Sequence, residues 1–150
     1  MKRAVPFLLL LPAIASAMQM TLTRPQLCDL SHRVVFAEVT DLETVWADAG
    51  TGGIERHAFV SVSDTVKGAK VDSLILDLPG GQIGEVGHWV EDVPNLMVNG
   101  RYLLFLAPNM EGDLTVIGGE QGAVRITKEG ARIGETMTEA LTSVEVCRVQ

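Results

Sequence analysis

The chain has 150 residues, 47% of them hydrophobic and 5% aromatic, with 12 basic and 19 acidic side chains and a formal net charge of −7. Such a length suits one domain with a real core, so the fold need not rest on disulfides alone. The acidic balance repels phosphate backbones, so nucleic acid and anionic membrane surfaces are excluded as favoured partners, although high net charge also simply keeps a protein soluble.

Lys2 and Arg3 open the chain with positive charge. An apolar run from Val5 to Ile14 follows, centred on Phe7, Leu8, Leu9, Leu10 and Leu11, and Ala15-Ser16-Ala17 closes it with small residues. This is the pattern of a secretory signal peptide over residues 1–17, cut before Met18. The apolar run is too short to span a bilayer as a helix, and an uncleaved anchor is the alternative. Cleavage leaves about 133 residues carrying roughly −9. The product is expected to be secreted or periplasmic, with no stable membrane insertion.

Two cysteines remain, Cys28 near the mature N-terminus and Cys147 near the C-terminus. In an oxidising compartment an isolated pair favours one disulfide, here tying the two ends together. Closing so long a loop contributes up to ~4–5 kcal/mol in the chain-entropy model. A redox site would use a Cys-x-x-Cys pair, which the sequence lacks. Cys28 also lies too far from the cleavage site to carry a lipid.

Thr23 to Ser31 reads as a short helix. Thr23 and Gln26 fit a capping box, Leu22 and Leu27 fall at the staple positions, and Pro25 sits in the first turn. Arg33 to Trp46 is rich in β-branched and aromatic residues, and its length predicts a long bent strand with a bulge near Asp41. Asp48-Ala49-Gly50-Thr51-Gly52-Gly53 is a turn cluster. Ile54 to Val66 then alternates, with Ile54, Ala58, Val60 and Val62 on one face and Glu55, His57, Ser61 and Ser63 on the other. Arg56 and Phe59 stand on the wrong sides. The two runs make a hairpin.

Val71 to Leu78 is the next strand. Pro79 to Gly100 reads as a long irregular connection containing His88, Trp89, Pro94 and several glycines. Arg101 to Ala107 is almost continuously apolar, which suits a strand buried on both faces or covered by another element. Leu114 to Ile117 and Ala123 to Thr127 are short strands across a glycine-rich turn. In the tail, Thr136 and Glu139 fit a second capping box. Ala140, Val144 and Cys147 share one helical face, so a helix presenting Cys147 to Cys28 is favoured over a continuing strand at Ser143 to Val149.

Five or six short strands with flanking helices define a mainly β chain, and a small closed OB-like barrel fits the size and the long third connection. Five segments in order carry a resemblance: Val34-Val35-Phe36-Ala37-Glu38-Val39, Val60 to Gly68, Leu78-Pro79-Gly80-Gly81, Gly100 to Leu106 and Gly119 to Ile126. Together they resemble small secreted bacterial proteins of uncertain function with an OB-like barrel. More distantly they are similar to netrin-type modules and tissue inhibitors of metalloproteinases. The resemblance covers roughly Asp29 to Thr127 and rests on glycine turns and apolar strands, so it implies a fold more than an activity. The inhibitors chelate a protease zinc through a cysteine at the mature N-terminus, whereas here the mature chain begins at Met18.

His32, His57 and His88 fall on three different expected elements, and no His-x-His or His-Glu-x-x-His pattern occurs. Ordinary turn or surface histidines are favoured over a metal site built from His88, Glu85 and a distant partner. No Gly-x-Ser-x-Gly elbow marks a hydrolase, and Glu91-Asp92 reads as a solvated loop pair. The glycine-rich Pro79 to Gly87 stretch lacks the Gly-Lys-Ser/Thr of a phosphate loop. OB folds that bind single strands present several stacking aromatics in a basic groove, and neither is present. Trp89 either plugs a barrel end or anchors an interface from this loop, with Ile83, Val86 and Val90 beside it. Trp46, at the end of its strand, has the same two readings, with core packing favoured.

These features define a non-enzymatic exported binding module without cofactor, metal ligands or catalytic residues. Its partner would be another exported protein or an envelope component. Ile83, Glu85, His88 and Trp89 are the candidate contact residues. A metalloprotease inhibitor and a small periplasmic hydrolase or metal enzyme are the alternatives.

Overall fold

A computed structural model describes residues 21–47, 53–128 and 134–148. The signal-peptide reading of residues 1–17 and most of the glycine turn at residues 48–52 lie outside the described residues. The elements run α1 (Arg24–Leu30), β1 (Arg33–Trp46), β2 (Ile54–Lys67), β3 (Ser73–Pro79), β4 (Gly81–Ile83), β5 (Val86–His88), β6 (Arg101–Pro108), β7 (Leu114–Val116), β8 (Ala123–Thr127), β9 (Glu135–Thr136), α2 (Met137–Ser143) and α3 (Glu145–Arg148). A short 3₁₀ turn at Gly119–Gly122 leads into β8.

The helix ends are written in the local sequence. Both capping boxes form: Thr23 with Gln26 opens α1, and Thr136 with Glu139 opens α2. Each satisfies two backbone N–H groups that a helix start leaves orphaned. Among the described residues no helix is long and apolar enough to cross a membrane.

The main sheet runs β3-β2-β1-β6-β8-β9, with β7 pairing onto β6. All pairings are antiparallel except β8 with β9. β1 and β2 form the long hairpin expected, and the register slips between Val39 and Asp41, where the bulge was placed. An extra residue at that point bends the strand and increases its twist.

Among the described residues nine strands stand where five or six were expected. Two of the extra ones, β4 and β5, form a separate small hairpin inside the stretch read as irregular. The closed barrel is also not what the ladders describe. β3 and β7 lie side by side, joined by Thr115 Oγ1 donating to the Asp77 carbonyl at 2.7 Å, but no backbone ladder connects them among the described residues.

Successive residues of a strand point to opposite faces. On the first half of β1 and along β6 both faces are buried. Val35, Ala37 and Val39 join Leu104 and Leu106 in an inner cluster with Ala58, Val60, Leu76, Leu78 and Leu96. Val34 and Phe36 join Leu103 and Phe105 in an outer cluster with Leu27, Ile126, Ala140 and Val144. The apolar run in β6 is therefore explained by its cover: α1, α2 and α3 close over the outer face. The tail is helical, broken at Val144 into two short pieces. Cys147 faces Cys28, and the two form the expected disulfide within the outer cluster.

Trp46 departs from expectation. It is 55% exposed, at the far end of β1, where among the described residues β2 alone pairs with it.

Candidate functional site

A cleft lies where β4 meets the ends of β1 and β2. Gly80 turns the chain there with φ 86°, a conformation that glycine adopts without steric cost. Its N–H donates to the Ile54 carbonyl at 2.8 Å. Gly81 follows, and a Cβ on it would stand 2.9 Å from Thr44 Cγ2 and 3.2 Å from Ile54 Cγ2. These close approaches seat β4 against β1 and β2. β5 returns beside β4, and Ile54 N–H donates to His88 Nδ1 at 3.3 Å.

Trp89 follows directly. It is 90% exposed, which removes the barrel-plug reading. Leu96, further along the same connection, fills the inner cluster instead. Val86 on β5 is also exposed, so the small hairpin presents apolar surface beside the tryptophan.

Pro79, Gly80, Gly81, Gln82, Gly87 and His88 line a cleft of about 670 Å³, together with Trp89, Val90 and Arg56. Asp92 and Glu120 supply carboxylates to its rim, and the Asp92 carboxylate accepts from the Glu120 N–H at 3.3 Å. Arg56 Nε is buried without a hydrogen-bond partner. The sequence oddity at Arg56 has its reason here. It shares a face with Ile54 and Ala58, but at the position where that face opens into the cleft.

Of the four candidate contact residues, His88 and Trp89 line the cleft. Ile83 and Glu85 do not. They sit at the tip of the β4–β5 hairpin, Ile83 half-buried and Glu85 exposed. Sequence reasoning missed Arg56, whose off-pattern charge was the available signal. It also missed the hairpin that carries the tryptophan.

A second grouping lies on the outer face of β2 and β3. His57 pairs directly across from Asp77, and Glu55 stands two residues earlier on the same face. His57 Nε2 lies 3.2 Å from Glu55 Oε1 and 3.2 Å from Asp77 Oδ1. Burial pushes the Asp77 carboxyl above its ordinary value. His57 opposes that shift, while Glu55, Asp113 and Glu111 add to it.

No protein-family model matches this chain, and a search of the curated proteins returns no match.

Proposed function

We propose that the protein is an exported binding module whose contact surface is the cleft and the β4–β5 hairpin, with Trp89 as the anchor. The reading rests on one observation above others: a tryptophan left 90% exposed beside a cleft. A large aromatic ring loses more than any other side chain by facing water, and such residues recur as interface anchors. The apolar Val86 and the buried, unpartnered Arg56 Nε add a hydrophobic and a polar handle. The partner is another exported protein or an envelope component, in keeping with the signal-peptide pattern and the disulfide.

The finer fold belongs to the same proposal. β1, β2, β3, β6 and β7 follow an OB-like order, with the Thr115 side chain bridging the seam that a full barrel would close by backbone pairing. Kinship with the secreted bacterial group and with netrin-type modules is proposed on that order. The inhibitor alternative finds no observation in its favour. Cys28 is buried inside α1, and its carbonyl accepts from Lys67 Nζ at 2.7 Å.

The test is paired capture by cross-linking from the exported fraction of the native host, with wild type and Trp89→Ala as baits. A partner held by wild type and lost by the variant supports the reading. Equal capture by both refutes the surface.

A further inference from the structure

The outer face of β2 and β3 gathers carboxylates around one histidine. Glu43 on β1 stands directly opposite His57, and Asp77 on β3 stands opposite it on the other side. Glu55 precedes on the same strand, and Asp113 and Glu111 act on Asp77 from the β6–β7 connection. Two of these carboxylates, Glu55 and Asp77, contact the imidazole directly.

His57 Nε2 stands within hydrogen-bond reach of two carboxylates and can donate to only one of them fully. His57 Nε2 carries one proton at most, yet two carboxylate oxygens stand at the same 3.2 Å from it. Charge-assisted N–H···O bonds are shorter, about 2.7–2.9 Å. The ligand atoms of Glu55, His57 and Asp77 all lie within 4.8 Å of one another. Around a zinc ion with bonds of about 2.0–2.1 Å, neighbouring tetrahedral ligands stand about 3.3–3.4 Å apart. The two 3.2 Å spacings are close to such edges. A cation between the three atoms would satisfy both carboxylates at once, which one proton does not.

We propose that Glu55, His57 and Asp77 form a binding site for a divalent cation of the zinc class. Imidazole with two carboxylates is a donor set suited to such ions. The side chains retain 16 to 30% of their exposure, so the site has a solvent path and a fourth position open to water. Two adjacent strands in fixed register hold all three ligands, which gives the site a rigid frame. Arg56, between Glu55 and His57, points to the opposite face, so this site is separate from the cleft and stands or falls without it.

The test is calorimetric titration of the disulfide-bonded protein with Zn²⁺ after removal of metal by a chelator. Wild type should take up one equivalent. His57→Gln and Asp77→Asn should each weaken uptake by about tenfold or more, while His88→Gln should leave it unchanged. Circular dichroism checks that the variants fold. Nuclear magnetic resonance of the wild type gives an answer that needs no variant: zinc should shift the His57 Nε2 signal and leave that of His88 in place. The proposal is overturned if uptake does not saturate, if His57→Gln binds as wild type does, or if the His57 signal does not move.

Discussion

At the residue scale, position in the register decides role. Trp89 is exposed because it leaves β5 after the hairpin has turned away from the core, where Leu96 takes the buried place. Trp89→Ala should therefore leave stability unchanged within about 0.5 kcal/mol, measured by denaturant unfolding, while abolishing partner capture. Glu139 offers a pH prediction. Its carboxylate accepts from the Thr136 backbone N–H and hydroxyl, and these bonds hold it below its ordinary value of 4.5. A depressed folded value makes the contribution complete above the unfolded value and lost as pH falls through the folded one. Glu139→Gln should flatten that acid limb in stability measured against pH. The Glu55, His57 and Asp77 group was invisible in the sequence for a register reason. His57 and Asp77 are 20 positions apart, and only the pairing of β2 with β3 makes them opposite neighbours.

At the scale of elements, local chemistry was legible and long-range support was not. The capping boxes at Thr23 and Thr136 and the bulge beside Asp41 depend on residues within a few positions, and each stands where the sequence put it. The β4–β5 hairpin was read as irregular because Gly81-Gln82-Ile83 and Val86-Gly87-His88 carry no alternation of their own. Contacts with Thr44 and Ile54 hold it in place. Trp46 was misplaced for the converse reason: its strand pattern is sound, but the helices that cover β1 reach only its first half. The terminal helices are short, at seven, seven and four residues, and stay in place by burial and the cross-link. Replacing Cys28 and Cys147 by serine should cost about 2–5 kcal/mol in chemical denaturation. The loss should appear first as faster amide exchange in α1 and α3.

At the scale of the whole molecule, one sheet divides two apolar clusters, and β6 belongs to both. Leu104 points to the inner cluster and Phe105 to the outer. Leu104→Ala should cost about 2–5 kcal/mol and Phe105→Ala about 3–5 kcal/mol. Each variant should still unfold in one transition, because a strand shared by both clusters couples them. Separate transitions in Phe105→Ala would show the helical layer to be an independent unit. The cleft opens where β4 meets the ends of β1 and β2, with Glu120 of the 3₁₀ turn on its rim. Binding there should leave the disulfide-linked face free.

A photo-reactive amino acid placed at Gln82, in the hairpin, and separately at Leu30, exposed on the helical face, tests the binding surface most directly. Illuminated in the native exported fraction, the Gln82 position should yield a discrete cross-linked partner that disappears with Trp89→Ala, and the Leu30 position should yield none. A partner captured equally from both positions, or from Leu30 alone, would contradict the account.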